Sequence, residues 1–190
     1  MARLAEVTSL DVWVDQVARL VELEDLRDAV LVGHSQGALV TTGVAARLPG
    51  RVGLLVHLDG AVPVPGQRAV DLLPRPGGDP PRDMSMAPRQ ADAGEYGAEL
   101  SAWVDARMTR SPVGPALDPV PAVPPDVAEE YVFCARTPAG YPSEVTRARL
   151  TAAGRTHRTL ESGHDAPITA PAEVALLLLE LAAAVSPKGS

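Results

Sequence analysis

Residues 29–40 read Ala-Val-Leu-Val-Gly-His-Ser-Gln-Gly-Ala-Leu-Val. The run 29–32 is short and continuously apolar, as in a parallel strand buried on both faces, and the residues from 37 onward begin a helix-like pattern. Between them, Gly33-His34-Ser35-Gln36-Gly37 fits G-x-S-x-G, the pattern of a serine held in a tight strand-to-helix turn. Such a turn needs small residues two before and two after the serine, so that strand and helix can approach; Gly33 and Gly37 are expected to meet that need, and Ala38 to keep the helix start slim. The turn also aims the helix N-terminus at the serine, where the Gln36 backbone N–H and the helix dipole favour a developing oxyanion. Ser35 is therefore the expected nucleophile and Gln36 the expected oxyanion donor.

Working outward, residues 9–23 place Leu10, Trp13, Val14, Val17, Leu20 and Val21 at helical spacing, with Thr8 and Asp11 as a capping pair. A charged turn, 24–28, leads into the 29–32 strand. The helical segment 37–48 stops at Pro49-Gly50, and a second apolar strand, 52–58, ends at Asp59-Gly60. Helix, strand, helix, strand is the rhythm of a parallel α/β sheet. Thirteen of the nineteen prolines then fall between 62 and 126, which bars regular sheet. This insertion carries one helical island, 95–108, with Leu100, Trp103, Val104 and Met108 expected to pack down on the core. A flexible insertion and a cap over a substrate pocket are both open readings. Strands at 130–135 and 157–160 and helices at 143–153 and 171–185 complete a single α/β domain, residues 1–190, with about four parallel strands.

The chain has 190 residues, 46% hydrophobic and 22% charged, enough for one buried core. A net charge of −7 argues against nucleic acid or an anionic membrane as a main partner. Cys134 is the only cysteine, so an internal disulfide and a cysteine zinc site are excluded; no metal or cofactor is expected. The first residues lack a basic region followed by an apolar run, and the apolar stretch 175–185 is interrupted by Glu180 and too short to span a bilayer. The expectation is a cytoplasmic protein acting on a small-molecule substrate.

A serine hydroxyl becomes a nucleophile when an imidazole takes its proton. Of His34, His57, His157 and His164, the last is the expected base: it follows a strand, lies in the loop Ser162-Gly163-His164-Asp165 and comes after the serine. His34 adjoins the serine and is expected to point elsewhere, His57 to pack inside a strand, and His157 to lie at the surface. The orienting carboxylate is expected to be Asp59, at the tip of the 52–58 strand, with Glu144 as the alternative. Asp165 adjoins the histidine it would have to face.

The segments GHSQG, LLVHLDGAVPVPGQ, AWVDARMT, EYVFCA and SGHDAPITAPAEVA together resemble the α/β-hydrolase branch that holds plant methylesterases, hydroxynitrile lyases and bacterial ester hydrolases. The resemblance implies Ser35 as nucleophile and His164 as base. It supports Asp59 through relatives similar to haloalkane dehalogenases, which place the acid after the corresponding strand, whereas many others carry it after the next one. Members of this family open with further strands and an HG-type loop that supplies a second oxyanion donor. Against that pattern the chain reads as N-terminally truncated, and loss of one such donor typically costs about 100- to 1000-fold in rate. The open edge of the 29–32 strand is then expected to be covered by a second copy, a partner chain or a rearranged segment. The implied function is hydrolysis of an ester or related acyl substrate through an acyl-serine; the alternatives are an impaired hydrolase acting as a partner or scaffold, and a lyase or cyclase reusing the same residues.

Overall fold

The computed structural model describes residues 4–74, 77–91 and 93–185. Alternating helices and apolar strands build the amphipathic α1 (Leu10–Leu23), β1 (Ala29–His34), the largely buried α2 (Gly37–Arg47) and β2 (Val52–Leu58). The proline-rich insertion follows, with β3 (Ser85–Met86), α3 (Ala93–Tyr96), α4 (Ala98–Asp105) and β4 (Ser111–Pro112). The chain then returns to the main layer as β5 (Ala128–Cys134), α5 (Pro142–Ala152), β6 (Arg158–Leu160), α6 (Ala166–Thr169) and α7 (Pro171–Ala184). The four long-range strands form one parallel sheet in the order β1-β2-β5-β6, and β3 and β4 pair as a minimal antiparallel ribbon within the insertion.

Every residue of β2 is buried, because this strand has a neighbour on each side and helices on both faces. Leu54, Val56 and Leu58 point to the layer of α7, where they meet Val132, Val174 and Leu181. On the opposite face α1 and α2 pack through Leu10, Val14, Val21, Leu39 and Val44. Period-two alternation on a central strand thus supplies both cores at once. The C-terminal ends of β1, β2 and β5 consequently lie side by side, which is what brings residues 35, 59 and 137 within reach of one another.

Several expectations need correction. The 29–32 run is not buried on both faces: its residues are half-buried and Val32 is 36% exposed, because β1 lies at the edge of the sheet, as expected, paired on one side with β2 among the described residues. Thr8 and Asp11 do not cap α1. Ser9 is its N-cap without a side-chain bond, and the Leu10 N–H donates instead to Asp118 Oδ2 at 2.8 Å, a distant carboxylate doing what a local one would. The buried stripe of α1 runs through Ala18 rather than Leu20, which faces solvent. The island splits at Gly97, whose φ of 74° breaks the helix into α3 and α4; Val104 is buried, but Trp103 and Met108 are exposed, with the Arg107 guanidinium lying over the Trp103 ring.

The tightest junction is between β1 and α2. A Cβ on Gly33 would stand 2.4 Å from Thr41 Oγ1 and 2.6 Å from the Ala38 Cα, whereas a Cβ on Gly37 would meet nothing within 4 Å. Only the first of the two motif glycines is thus required by close approach, because Gly37 opens the helix on its outward side. Gly33→Ala is expected to destabilise the protein by about 1–3 kcal/mol through overpacking against backbone. Gly37→Ala, which adds a methyl in open space within a helix, is expected to be neutral or stabilising by about 0.4–1 kcal/mol. Urea unfolding of the two variants checks the contrast.

Candidate active site

At the end of β1 the chain reverses into α2 through Ser35, whose φ of 53° lies in the left-handed region. Among the described residues the other non-glycine positions with positive φ are Asp25, Asp28 and Asp59, a residue type that tolerates this region; serine does so less readily. The turn is held from β2: the Ser35 N–H donates to the Leu58 carbonyl at 3.1 Å, and the Ala61 N–H donates to the Ser35 carbonyl at 3.3 Å. Strain at one residue is thereby offset by hydrogen bonds on both sides of it. Gln36 is the N-cap of α2, so its N–H lies among the first-turn donors that have no acceptor inside the helix.

Asp59 occupies the matching position one strand over. Its N–H donates to the Val132 carbonyl at 2.7 Å, and its φ of 45° turns the chain away before Gly60. The side chain is 2% exposed. His164 Nδ1 lies 2.6 Å from Asp59 Oδ2, and His164 Nε2 lies 3.0 Å from Ser35 Oγ. A carboxylate only accepts, so Nδ1 carries the proton and donates to Asp59; the Nε2 lone pair is left to accept from the serine hydroxyl. The arrangement fixes the tautomer suited to taking a proton from Ser35.

Two further donors serve Asp59: the Thr137 hydroxyl, 2.5 Å from Oδ2, and the Cys134 N–H, 3.4 Å from Oδ1. Burial pushes the Asp59 carboxyl up, but the bonds from His164, Thr137 and Cys134 outweigh it and hold the group below the usual carboxylate range. The neighbouring Cys134 thiol moves the other way, pushed up to about 12 by burial and by the Asp59 charge, so it stays protonated and offers no competing nucleophile.

His164 is also held from behind. The His34 Nε2–H donates to the His164 carbonyl at 2.7 Å, and the rings of His34 and Tyr141 approach the imidazole at 4.8 and 4.4 Å between centroids. Burial lowers the affinity of His34 for a second proton, which keeps it a neutral donor. His34 was expected to point elsewhere, yet it reaches the loop bearing His164 because that loop folds back over the elbow, 130 residues on. His57 is buried as expected, its Nε2 3.1 Å from Glu129 Oε2, and His157 is half-buried rather than superficial, edge-on to Phe133. Glu144 does not join the cluster; it is exposed and accepts the Gly140 N–H at 2.7 Å. Thr137 and Tyr141 carried no sequence signal, being ordinary residues brought in by the turn between β5 and α5.

Above Ser35 opens a cavity of about 390 Å³ walled by Leu39, Val70, Leu73, Met86, Ala116 and Pro142, with Gln36, Tyr141 and His164 at its base. Residues of the insertion form much of its roof. His34, His164 and Asp165 bring potential metal-binding atoms within 4.8 Å of one another, but each is committed: His34 to the His164 carbonyl, His164 to Asp59 and Ser35, and Asp165 to Tyr96 and Arg89. Among the described residues no helix is long and apolar enough to cross a membrane.

Comparison with known proteins gives a consistent picture. The model of the alpha/beta hydrolase family matches residues 2–176. A carbendazim hydrolyzing esterase from Nocardioides sp. (strain SG-4G) is 41% identical over 70 residues, which are 37% of this chain and 29% of that protein. A methylesterase from Arabidopsis, MES16, superposes with a TM-score of 0.71 at 18% identity, over 94% of this chain and 80% of that one. A pyrethroid hydrolase from Sphingobium faniae JZ-2 superposes with a TM-score of 0.67 at 19% identity, over 93% and 78%.

Two outcomes are expected from the geometry. Ser35→Gly removes the cost of a left-handed serine and should raise stability by about 1 kcal/mol in urea or thermal unfolding, an offset between stability and the placement of the Ser35 hydroxyl. Asp59 has its carboxyl depressed in the folded state. Its contribution is therefore present above the ordinary carboxylate range, about pH 4, and is lost as pH falls through the depressed value. Asp59→Asn should be less stable than the parent at pH 7, with the gap closing below about pH 4 in urea titrations at the two pH values.

Proposed function

This chain belongs to the alpha/beta hydrolase family, and on that premise we propose that it cleaves an ester or related acyl compound through an acyl-Ser35 intermediate. The observation that carries the reading is the unbroken chain of hydrogen bonds from Ser35 Oγ through His164 to Asp59, opening onto an apolar cavity. The names of the similar proteins, an esterase, a methylesterase and a pyrethroid hydrolase, point the same way.

In this reading His164 Nε2 takes the Ser35 proton as Oγ attacks the acyl carbon. The carbonyl oxygen becomes an oxyanion facing the Gln36 N–H at the start of α2, where the helix dipole favours negative charge. Collapse of the tetrahedral species expels the alcohol, which leaves with the proton held by the imidazolium. Water then enters, gives its proton to His164 and attacks the acyl carbon; the acid departs and Ser35 regains its proton. Asp59 stays ionised throughout and steadies the imidazolium. The cavity walls carry no cationic side chain among the described residues, which favours an uncharged substrate with a compact apolar group.

Hydrolysis of p-nitrophenyl butyrate tests the scheme. Ser35→Ala and His164→Ala are each expected to lose at least about 1000-fold in kcat/KM, and the double variant to lose no more than either single one, because the residues act as a unit. Asp59→Asn should lose about 100- to 10,000-fold. A folded Ser35→Ala variant with the parental rate would contradict the reading.

A further inference from the structure

Among the described residues the carboxylates of Asp59 and Asp165 both lie close to the His164 ring, and of the two Asp59 bonds to it. Asp165, the next residue along, brings a carboxylate oxygen within 4.8 Å of a His164 ring nitrogen. An anion at that range stabilises the protonated imidazole, which would leave less of the neutral form that Ser35 requires. Asp165 is not left uncompensated. Its Oδ2 accepts from both the Arg89 guanidinium and the Tyr96 hydroxyl, and its side chain is 12% exposed. Both partners come from the proline-rich insertion, Arg89 just before α3 and Tyr96 at its end. The same segment packs hard against the catalytic loop, since a Cβ on Gly163 would stand 1.8 Å from Glu95 Oε1.

We propose that Arg89 and Tyr96 are positioning residues for His164: they hold the Asp165 carboxylate toward the insertion and cancel its charge, so that Asp59 alone governs the imidazole. This rests on the reading of His164 as the base. Among the described residues, the remaining groups that face His164 are Ser35 from the elbow, His34 from β1, Tyr141 ahead of α5, and Thr137 and Cys134 through Asp59; Glu95 adds a carboxyl beside Gly163. Among the described residues, Arg89 is the cation bonded to this cluster. Asp165 is held below the usual carboxylate range: burial opposes this, and the bonds from Tyr96 and Arg89 prevail. The insertion is thereby coupled to catalysis, because displacing residues 89–96 would release a second negative charge beside the imidazole.

The test is the titration of the His164 ring, followed by NMR on protein labelled in its histidine rings, with the resonance assigned by its loss in His164→Gln. Arg89→Gln should move the midpoint to higher pH by roughly half to one unit, a modest figure because Arg89 is partly exposed to solvent. Asp165→Asn should move it the opposite way, Arg89→Gln/Asp165→Asn should return it to within a few tenths of the parent, and Arg89→Lys should leave it unshifted. A merely structural role would not give opposite shifts that cancel. Unshifted midpoints in both single variants, or a double variant that stays where Arg89→Gln lies, would overturn the proposal. Should Arg89→Gln fail to fold, Asp165→Asn and Arg89→Lys still decide it: a downward shift in the first and none in the second support it, and any other pair defeats it. The acid limb of p-nitrophenyl butyrate hydrolysis should follow the same displacements. Absence of any hydrolysis by the parent protein counts against the hydrolase reading alone, since the titration is read without turnover.

Discussion

At Gly33 the backbone of β1 passes so near α2 that a single methyl group would collide with the Ala38 backbone, and the rest of the site depends on that closeness. With strand and helix in contact, the two can be joined only by a very short turn, and the residue at its apex is driven to positive φ. Ser35 is that residue. Its hydroxyl is thus presented at the open end of the sheet, directly before the first turn of α2. The strain is sustained because β2 supplies a hydrogen-bond acceptor and the following loop a donor to the same peptide units.

The parallel register extends this local constraint into a three-residue arrangement. Because β1, β2 and β5 run side by side in the same direction, their C-terminal turns emerge together. Ser35 leaves the first, Asp59 the second, and Thr137 follows the third. His164 reaches the same point from the loop after β6, and its carbonyl is held by His34. Burial at this convergence makes each hydrogen bond count for more than it would in water, and it makes any stray charge costly. Arg89 and Tyr96 both bond to the Asp165 carboxylate at this convergence. The proline-rich insertion, which roofs much of the cavity, thus also touches the loop bearing His164.

Much of this was legible in the chain because it is encoded locally. The G-x-S-x-G run lies between an apolar strand and a helix, so Ser35 and Gln36 follow from a dozen consecutive residues. Asp59 is readable as an Asp-Gly pair closing a buried strand, and the α/β layering from alternating apolar periods. What could not be read depends on convergence over long separations. His34 meets His164 across 130 positions and Thr137 meets Asp59 across 78, and neither carries a local pattern. The partial exposure of β1 was likewise hidden, because an apolar run of four residues looks the same at the rim of a sheet as at its centre; its edge position was anticipated only through the family resemblance. The first turn of α1 shows the same limit: its cap comes from Asp118 rather than from a neighbouring residue.

The proposed covalent chemistry at Ser35 is open to direct observation. The purified protein would be treated with a fluorophosphonate, digested, and its peptides read by mass spectrometry. A single adduct on Ser35, formed by the parent protein and greatly slowed in a folded His164→Ala variant, is the expected result. An unmodified Ser35 in the folded parent protein, or modification at a rate indifferent to His164, would contradict it.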